Sequence, residues 1–162
     1  MASGDTLCVF TPRNAELPAS NFAVFSARNN HPTLRFADGT ALSAIFIGVM
    51  PRHYSGGGIT VYLTWSCTLT TGTVGWTVEI ERIGDGQQDL DSDGFASAQT
   101  VTAATVPGTN GLTDITNVAV TSGANMDSLA AGEAFRIRVT RDTTNDTSTG
   151  IAELIAVEIK ES

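Results

Sequence analysis

Hydrophobic and polar residues alternate along several short stretches of this chain, which is the pattern of half-buried β-strands. Residues 59–67 alternate most regularly, with an apolar side chain at every odd position from Ile59 to Cys67. The other candidate strands cover residues 7–10, 33–37, 44–49, 76–83, 98–105, 115–121, 135–140 and 155–159. Strands with one apolar face each predict an all-β protein in which two antiparallel sheets pack face to face.

One segment has the features of a helix rather than a strand. Residues 125–132 begin with polar Asn125, continue through an apolar turn and end at Gly132, which is a typical helix stop. Its length allows one or two turns, so we expect a short connecting helix across one end of the sandwich. Glycine-rich and asparagine-rich turns separate the strands, and no repeat of fixed period is present.

The first thirty residues lack sustained alternation. They contain Pro12 and Pro18, and Phe22, Val24 and Phe25 follow without a clear period. We therefore divide the chain into an extended N-terminal arm or cap at residues 1–30 and a β-sandwich domain at residues 31–162. The segment either covers the core of its own domain or reaches a neighbouring molecule, and its aromatic residues favour a covered position.

Composition narrows the classes of partner. The chain has a net charge of −8, its only lysine is Lys160, and no run of basic residues occurs. This balance argues against nucleic acid and against anionic membranes as partners. The longest apolar run, at about residues 41–50, is too short to cross a bilayer. Only 16% of the residues are charged, and neutral polar surfaces of this kind suit contact with other proteins.

Residues that carry chemistry are sparse. Two histidines, His31 and His53, lie in predicted loops, and no nucleophile, metal-protease or phosphate-loop motif occurs. Glu79 and Glu81 share one strand face, but Arg136 and Arg138 on another strand have the spacing to neutralise them. We therefore expect no enzymatic activity, no catalytic residues and no cofactor. Cys67 lies on the apolar side of its strand, which predicts a buried free thiol rather than a disulfide.

An acidic loop is the sharpest local motif. Asp89, Asp91, Asp93 and Gly94 match the first half of an EF-hand calcium loop, whose oxygens converge on a hard cation. The second half does not match, because Thr100 occupies the position of the bidentate glutamate. The loop is either a looser calcium site or a solvated acidic turn, and we assign no metal ligand.

Two longer stretches resemble small structural proteins of tailed bacteriophages. They are residues 46–61, FIGVMPRHYSGGGITV, and residues 126–137, MDSLAAGEAFRI. With the size and the strand content, these stretches make residues 31–162 similar to jelly-roll head decoration (cement) proteins. The resemblance implies an antiparallel two-sheet β-sandwich of jelly-roll type with about eight or nine strands and one short connecting helix.

The same resemblance implies a function. A decoration protein lies on the outer capsid surface of the virion, bridges neighbouring major capsid subunits and is synthesised in the host cytoplasm. The resemblance also implies a homo-oligomer, with a trimer favoured over a dimer. The acidic loop at residues 85–93 departs from this expectation, because it disfavours contact with an acidic capsid. The alternative is a tail-fibre or spike domain that binds a host receptor or glycan, with Tyr54 or Tyr62 stacking on sugars.

Overall fold

Eleven strands and two single turns of 3-10 helix make up the regular structure in the computed structural model, which describes residues 4–162. The strands are β1 (Thr6–Phe10), β2 (Ala15–Glu16), β3 (Val24–Arg28), β4 (His31–Phe36), β5 (Ser43–Val49), β6 (Ile59–Cys67), β7 (Thr73–Ile83), β8 (Gln99–Thr105), β9 (Thr113–Val120), β10 (Ala134–Arg141) and β11 (Ala152–Glu161). All nine strands predicted from alternation are present, so the all-β expectation is confirmed.

The strands form two antiparallel sheets that pack as a jelly-roll sandwich. The six-stranded sheet has the order β3-β4-β11-β6-β9, and β1 pairs with the other half of the β11 edge beside β4. The five-stranded sheet has the order β2-β5-β10-β7-β8. Between the sheets, the ring of Trp76 meets those of Phe36 and Trp65 edge-on, at centroid distances of 5.0 and 6.3 Å. This aromatic cluster is fully buried and marks the centre of the core.

The N-terminal segment contributes strands to both sheets of the sandwich. β1 and β3 join the six-stranded sheet and β2 joins the five-stranded sheet. β2 and β3 were not predicted, because β2 has only two residues and β3 is an edge strand whose side chains are exposed or half-buried on both faces. The predicted boundary after residue 30 falls in the turn between β3 and β4, where Asn29 and Asn30 have φ values of 46° and 64°.

β11 contains a bulge that changes the predicted face pattern. The sequence predicts Ile155, Val157 and Ile159 on one face, whereas the large apolar residues of β11 that are buried are Leu154, Val157 and Ile159. The register with β6 shifts between Leu154 and Ala156, so Ile155 has no partner on β6 and points away from the core side. The prediction for Ile155 is therefore wrong, because one extra residue in the strand interrupts the alternation.

The predicted connecting helix is shorter than expected. A single 3-10 turn, Ala124–Met126, replaces the one or two turns expected over residues 125–132. The turn ends because Asp127 and Ser128 take left-handed φ values of 52° and 57°, and the Asp127 carboxylate accepts a hydrogen bond from the backbone N–H of Arg82. A second 3-10 turn, Pro12–Asn14, was not predicted. Among the described residues, no helix has the length and apolar content needed to cross a membrane.

A buried arginine fastens the chain at the end of β10. Arg141 is fully buried, and its Nε donates to the Asp146 carboxylate at 2.5 Å. Its remaining donors bind the backbone carbonyls of Phe36, Ser148 and Gly150 at 2.6–2.8 Å. Gly150 is required there, because a Cβ at this position would lie 2.7 Å from Cys67 Sγ. Cys67 is a buried free thiol, which confirms the prediction for that residue.

Candidate functional site

The carboxylates of Glu79 and Glu81, the pair noted in the sequence, each form an ion pair with an arginine. On the outer face of the five-stranded sheet, Arg138 holds Glu79 with two hydrogen bonds of 2.5 and 2.6 Å, and Arg136 binds Glu81 at 3.1 Å. The centroid of the Phe95 ring lies 4.4 Å from the guanidinium carbon of Arg138 and 5.5 Å from that of Arg136. The predicted neutralisation across strands is therefore confirmed, and this face presents no unpartnered carboxylate pair.

The acidic loop uses its carboxylates to hold its own backbone. The Asp89 carboxylate accepts from the N–H of Asp91 at 3.0 Å, and the Asp93 carboxylate accepts from the N–H of Asp89 at 2.8 Å. The bond from Asp91, with a further bond from the Ser92 side chain, holds the pKa of Asp89 below its ordinary value. Over residues 4–162, no group of three or more His, Cys, Asp or Glu side chains is placed to hold a metal ion.

The histidines and tyrosines singled out in the sequence do not form one site. His31 begins β4 and its Nδ1 lies 3.2 Å from the carbonyl oxygen of Arg28, whereas His53 is exposed in a separate turn. Tyr54 is only 5% exposed, and its hydroxyl binds the Gly57 carbonyl, so its ring cannot stack on a sugar. Tyr62 lies half-buried on β6, with the Lys160 ammonium 5.6 Å from its ring centroid.

A polar cleft on the outer face of the six-stranded sheet was not found from the sequence. It has a volume of about 500 Å³, and the residues in its walls include Arg28, His31, Thr33, Ser66, Asn110, Glu153 and Ile155. Arg28 ends β3, Thr33 lies on β4, Ser66 lies near the end of β6 and Glu153 lies near the start of β11. The register pairs Glu153 with Ser66, while the bulge brings Ile155 to the cleft.

Arg28 and Glu153 form the centre of the polar cleft. The Glu153 side chain is only 4% exposed, and its Oε2 accepts a hydrogen bond from Arg28 at 2.6 Å. Arg28 also donates to the carbonyl of Cys67 at 3.2 Å and to the side-chain oxygen of Asn110 at 2.6 Å. The second oxygen of Glu153 lies 3.7 Å from Arg35 Nε, beyond hydrogen-bonding distance. The Glu153 carboxylate is therefore almost buried and paired with Arg28, and it borders the cleft on one side.

A second feature, which we call the apolar edge, consists of Leu17, Phe22, Val24 and Phe25. Their side chains are 52%, 45%, 55% and 50% exposed, and they supply four of the eleven exposed large apolar side chains in the described chain. The edge follows the outermost strands β2 and β3, and a groove of about 330 Å³ with Leu17 and Phe25 in its wall opens there. Arg13 lies over Phe25, with its guanidinium carbon 6.0 Å from the ring centroid.

Comparisons with known proteins support the fold. No family model matches the chain, and no curated protein matches it in sequence. Among solved structures, the C-terminal CBM6 of LamC, a marine laminarinase from Zobellia galactanivorans, has a TM-score of 0.51 and 14% identity over 97% of this chain and 100% of its own. A family 35 carbohydrate-binding module from an environmental isolate has a TM-score of 0.56 and 10% identity, over 94% and 92%.

A larger enzyme contains a similar domain. The exo-β-1,3-galactanase of Phanerochaete chrysosporium has a TM-score of 0.55 and 12% identity over 98% of this chain. This chain spans only 29% of the length of that enzyme. At these identities the similarities establish a jelly-roll sandwich and nothing about activity.

Proposed function

We propose that this protein is a non-enzymatic virion protein that decorates the outer capsid surface and stabilises contacts between neighbouring major capsid subunits. The observation that carries the proposal is the apolar edge, where four exposed large apolar side chains fall within residues 17–25. Leu17 and Phe25 line one groove there, and exposed apolar surface of this kind on a folded protein marks a protein–protein contact. The phage resemblance of residues 46–61 and 126–137 supplies the partner, the major capsid protein.

The mechanism under this proposal is repeated weak binding. A groove the size of the one beside Leu17 and Phe25 buries little surface, so one contact is weak. A homo-oligomer, such as the predicted trimer, presents several copies of the apolar edge to a capsid lattice at once. Linked contacts then act at high effective concentration, so the assembled layer is far more stable than a single contact.

The test is binding of the purified protein to virus particles from which it has been removed. We expect the double variant Leu17→Gln/Phe25→Gln to lose at least about tenfold in affinity, because both side chains lose their apolar contact. The matched control is Leu90→Gln, because Leu90 is 83% exposed but lies in the acidic loop away from the apolar edge. Bound copies are counted by quantitative mass spectrometry relative to the major capsid protein.

Two results would contradict the proposal. One is equal binding by the double variant and by wild type. The other is a copy number of only a few per unmodified particle, which indicates a tail or vertex position. Point substitutions are preferable to deletion of residues 1–25, because the deletion removes β1 and the buried Phe10 together with the apolar edge.

A second candidate function is binding of a host receptor or glycan, as a tail-fibre or spike domain does. The polar cleft favours it, because buried charged groups that converge on an open cleft are typical of ligand sites. The carbohydrate-binding modules with a similar fold are consistent with it. A glycan array separates the two functions, because a protein that acts only as capsid cement binds no glycan.

A further inference from the structure

Two buried polar atoms without a hydrogen-bond partner lie in or beside the polar cleft. In the described part of the chain, four buried side-chain nitrogen or oxygen atoms have no hydrogen-bond partner, and two of them are Thr33 Oγ1 and Arg35 Nε. These residues lie two apart on β4 and therefore point to the same outer face of the sheet. A buried polar atom without a partner is energetically costly, so such atoms rarely persist without a reason.

Arg35 is the cross-strand neighbour of Glu153, and Thr33 shares the cleft with Glu153. Arg35 pairs with Glu153 across β4 and β11, and its Nε lies 3.7 Å from the Glu153 Oε1 atom. Thr33 is 2% exposed and forms part of the cleft wall. Thr33 and Glu153 line the cleft and Arg35 lies behind Glu153, so a hydroxyl, an N–H donor and a carboxylate oxygen with unfilled hydrogen-bonding capacity lie in or beside the cleft.

This combination of groups selects the chemistry of a ligand. A hydroxyl group can donate to Glu153 and accept from Arg35 at the same time. An anion would accept from Arg35 but would meet the negative charge of Glu153, and the donors of Arg28 are already engaged by Glu153, Cys67 and Asn110. Thr33, in the wall of the same cleft, offers its hydroxyl to a second hydroxyl group of such a ligand. The ligand that fits is neutral and carries hydroxyl groups on adjacent carbons.

We propose that the polar cleft between Arg28, Thr33, Asn110 and Glu153 binds one ring of a neutral saccharide. This proposal deepens the second candidate function and rests on it, and it is independent of capsid binding at the apolar edge. Ile155 supplies an apolar contact for the C–H groups of the ring. Within residues 4–162 no Phe, Tyr or Trp side chain lines the cleft, so the affinity for a single sugar is weak, in the millimolar range.

The experiment is a titration of the isotope-labelled full chain with galactose, glucose or xylose, followed by the amide N–H signals. With at least one of these sugars we expect saturable shifts at residues 33, 66, 110–113 and 153. Galacturonate, the anionic counterpart of galactose, should bind more weakly than galactose. The proposal is overturned if concentrations in the tens of millimolar give no saturable shift at these residues, or if galacturonate binds as well as the best neutral sugar.

Replacing the Thr33 hydroxyl with a methyl group distinguishes an effect on sugar affinity from an effect on stability. Thr33→Val keeps the shape of the side chain but removes the hydroxyl, so affinity should fall by about fivefold or more. The same variant should unfold at no lower urea concentration than wild type, because the lost hydroxyl has no partner in the free protein. Thr33→Ser keeps the hydroxyl and should bind within about twofold of wild type.

A matched control lies on the other sheet. Thr77→Val, on the outer face of β7, should leave the affinity unchanged. Wild-type affinity in Thr33→Val would overturn the proposal, and so would shifts centred on the apolar edge. A chain that binds capsids but no sugar would contradict this inference and leave the decoration function standing. A chain that binds sugar but no capsid would support this inference and contradict the decoration function.

Discussion

Arg141 and Arg28 each join an almost buried carboxylate to backbone carbonyl oxygens, but they do so in different surroundings. Arg141 is fully buried, and its partner Asp146 has a side chain only 1% exposed. Arg28 binds Glu153, which is 4% exposed, while the Arg28 side chain itself is 32% exposed and borders the polar cleft. The first cluster is closed to solvent and the second is open on one side.

The difference shows which charged residues serve the fold and which remain available for binding. In the closed cluster, Arg141 donates to Asp146 and to three carbonyls that tie the loop before β11 to β4. In the open cluster, Arg28 is engaged, but Thr33 Oγ1 and Arg35 Nε on the neighbouring strand β4 have no hydrogen-bond partner. A closed cluster therefore stabilises the fold, whereas an open cluster with unpartnered neighbours is the place to look for a ligand.

The largest expected effect is on the closed cluster. Arg141→Met should lower the free energy of unfolding by about 3–5 kcal/mol, because it leaves the Asp146 charge buried without its counterion. Urea unfolding followed by tryptophan fluorescence measures this loss, and Arg52→Met, at an exposed arginine, is the control. A loss below about 1 kcal/mol would show that water replaces the guanidinium and that the cluster is not closed.

A smaller effect is expected at the open cluster. Arg28→Met should lower the free energy of unfolding by about 1–2 kcal/mol, because water from the cleft solvates Glu153 once the guanidinium is gone. The same urea titration measures it. If Arg28→Met and Arg141→Met destabilise the protein equally, the two clusters do not differ in how far solvent can replace the guanidinium group.

The smallest effect is expected at a surface pair, and it depends on pH. Arg82 binds Glu133 through two hydrogen bonds of 2.7 and 2.6 Å, and these bonds hold the pKa of Glu133 below its ordinary value of 4.5. A carboxyl group with a lowered pKa in the folded state stabilises the protein above its unfolded pKa and loses that contribution as pH falls through the folded pKa.

The variant Glu133→Gln tests this pH dependence. Wild type should be more stable than the variant near neutral pH, and the difference should shrink as the pH falls below the ordinary glutamate value of 4.5. Urea midpoints measured across this range provide the check. A difference that does not change with pH would mean that the charge of Glu133 contributes nothing to stability.

The sequence was sufficient to predict the sheets because their central strands have two different faces. The alternation from Ile59 to Cys67 matches the bounds of β6, and every apolar position in it is buried. The paired spacing of Glu79 and Glu81 with Arg136 and Arg138 was enough to predict contacts across β7 and β10. Edge strands such as β3 were missed, because a strand exposed on both faces shows no alternation.

The polar cleft could not be predicted, because its residues come from distant parts of the chain. Arg28 and Glu153 are 125 positions apart and meet only because β4 and β6 both pair with β11. The one local signal was Glu153 itself, an acidic residue inside an otherwise apolar stretch at the start of β11. A single such residue does not specify its partners, which depend on strand order.

The bulge at Ile155 has a consequence for how this chain tolerates insertion and deletion. Leu154 pairs with Trp65 and Ala156 pairs with the adjacent Thr64, so Ile155 is one residue more than the ladder requires. Loss of its codon would restore strict alternation along β11, with every core residue still facing the core. The length of β11 can therefore change by one residue here without moving core side chains to the outer face. The change would alter the wall of the polar cleft.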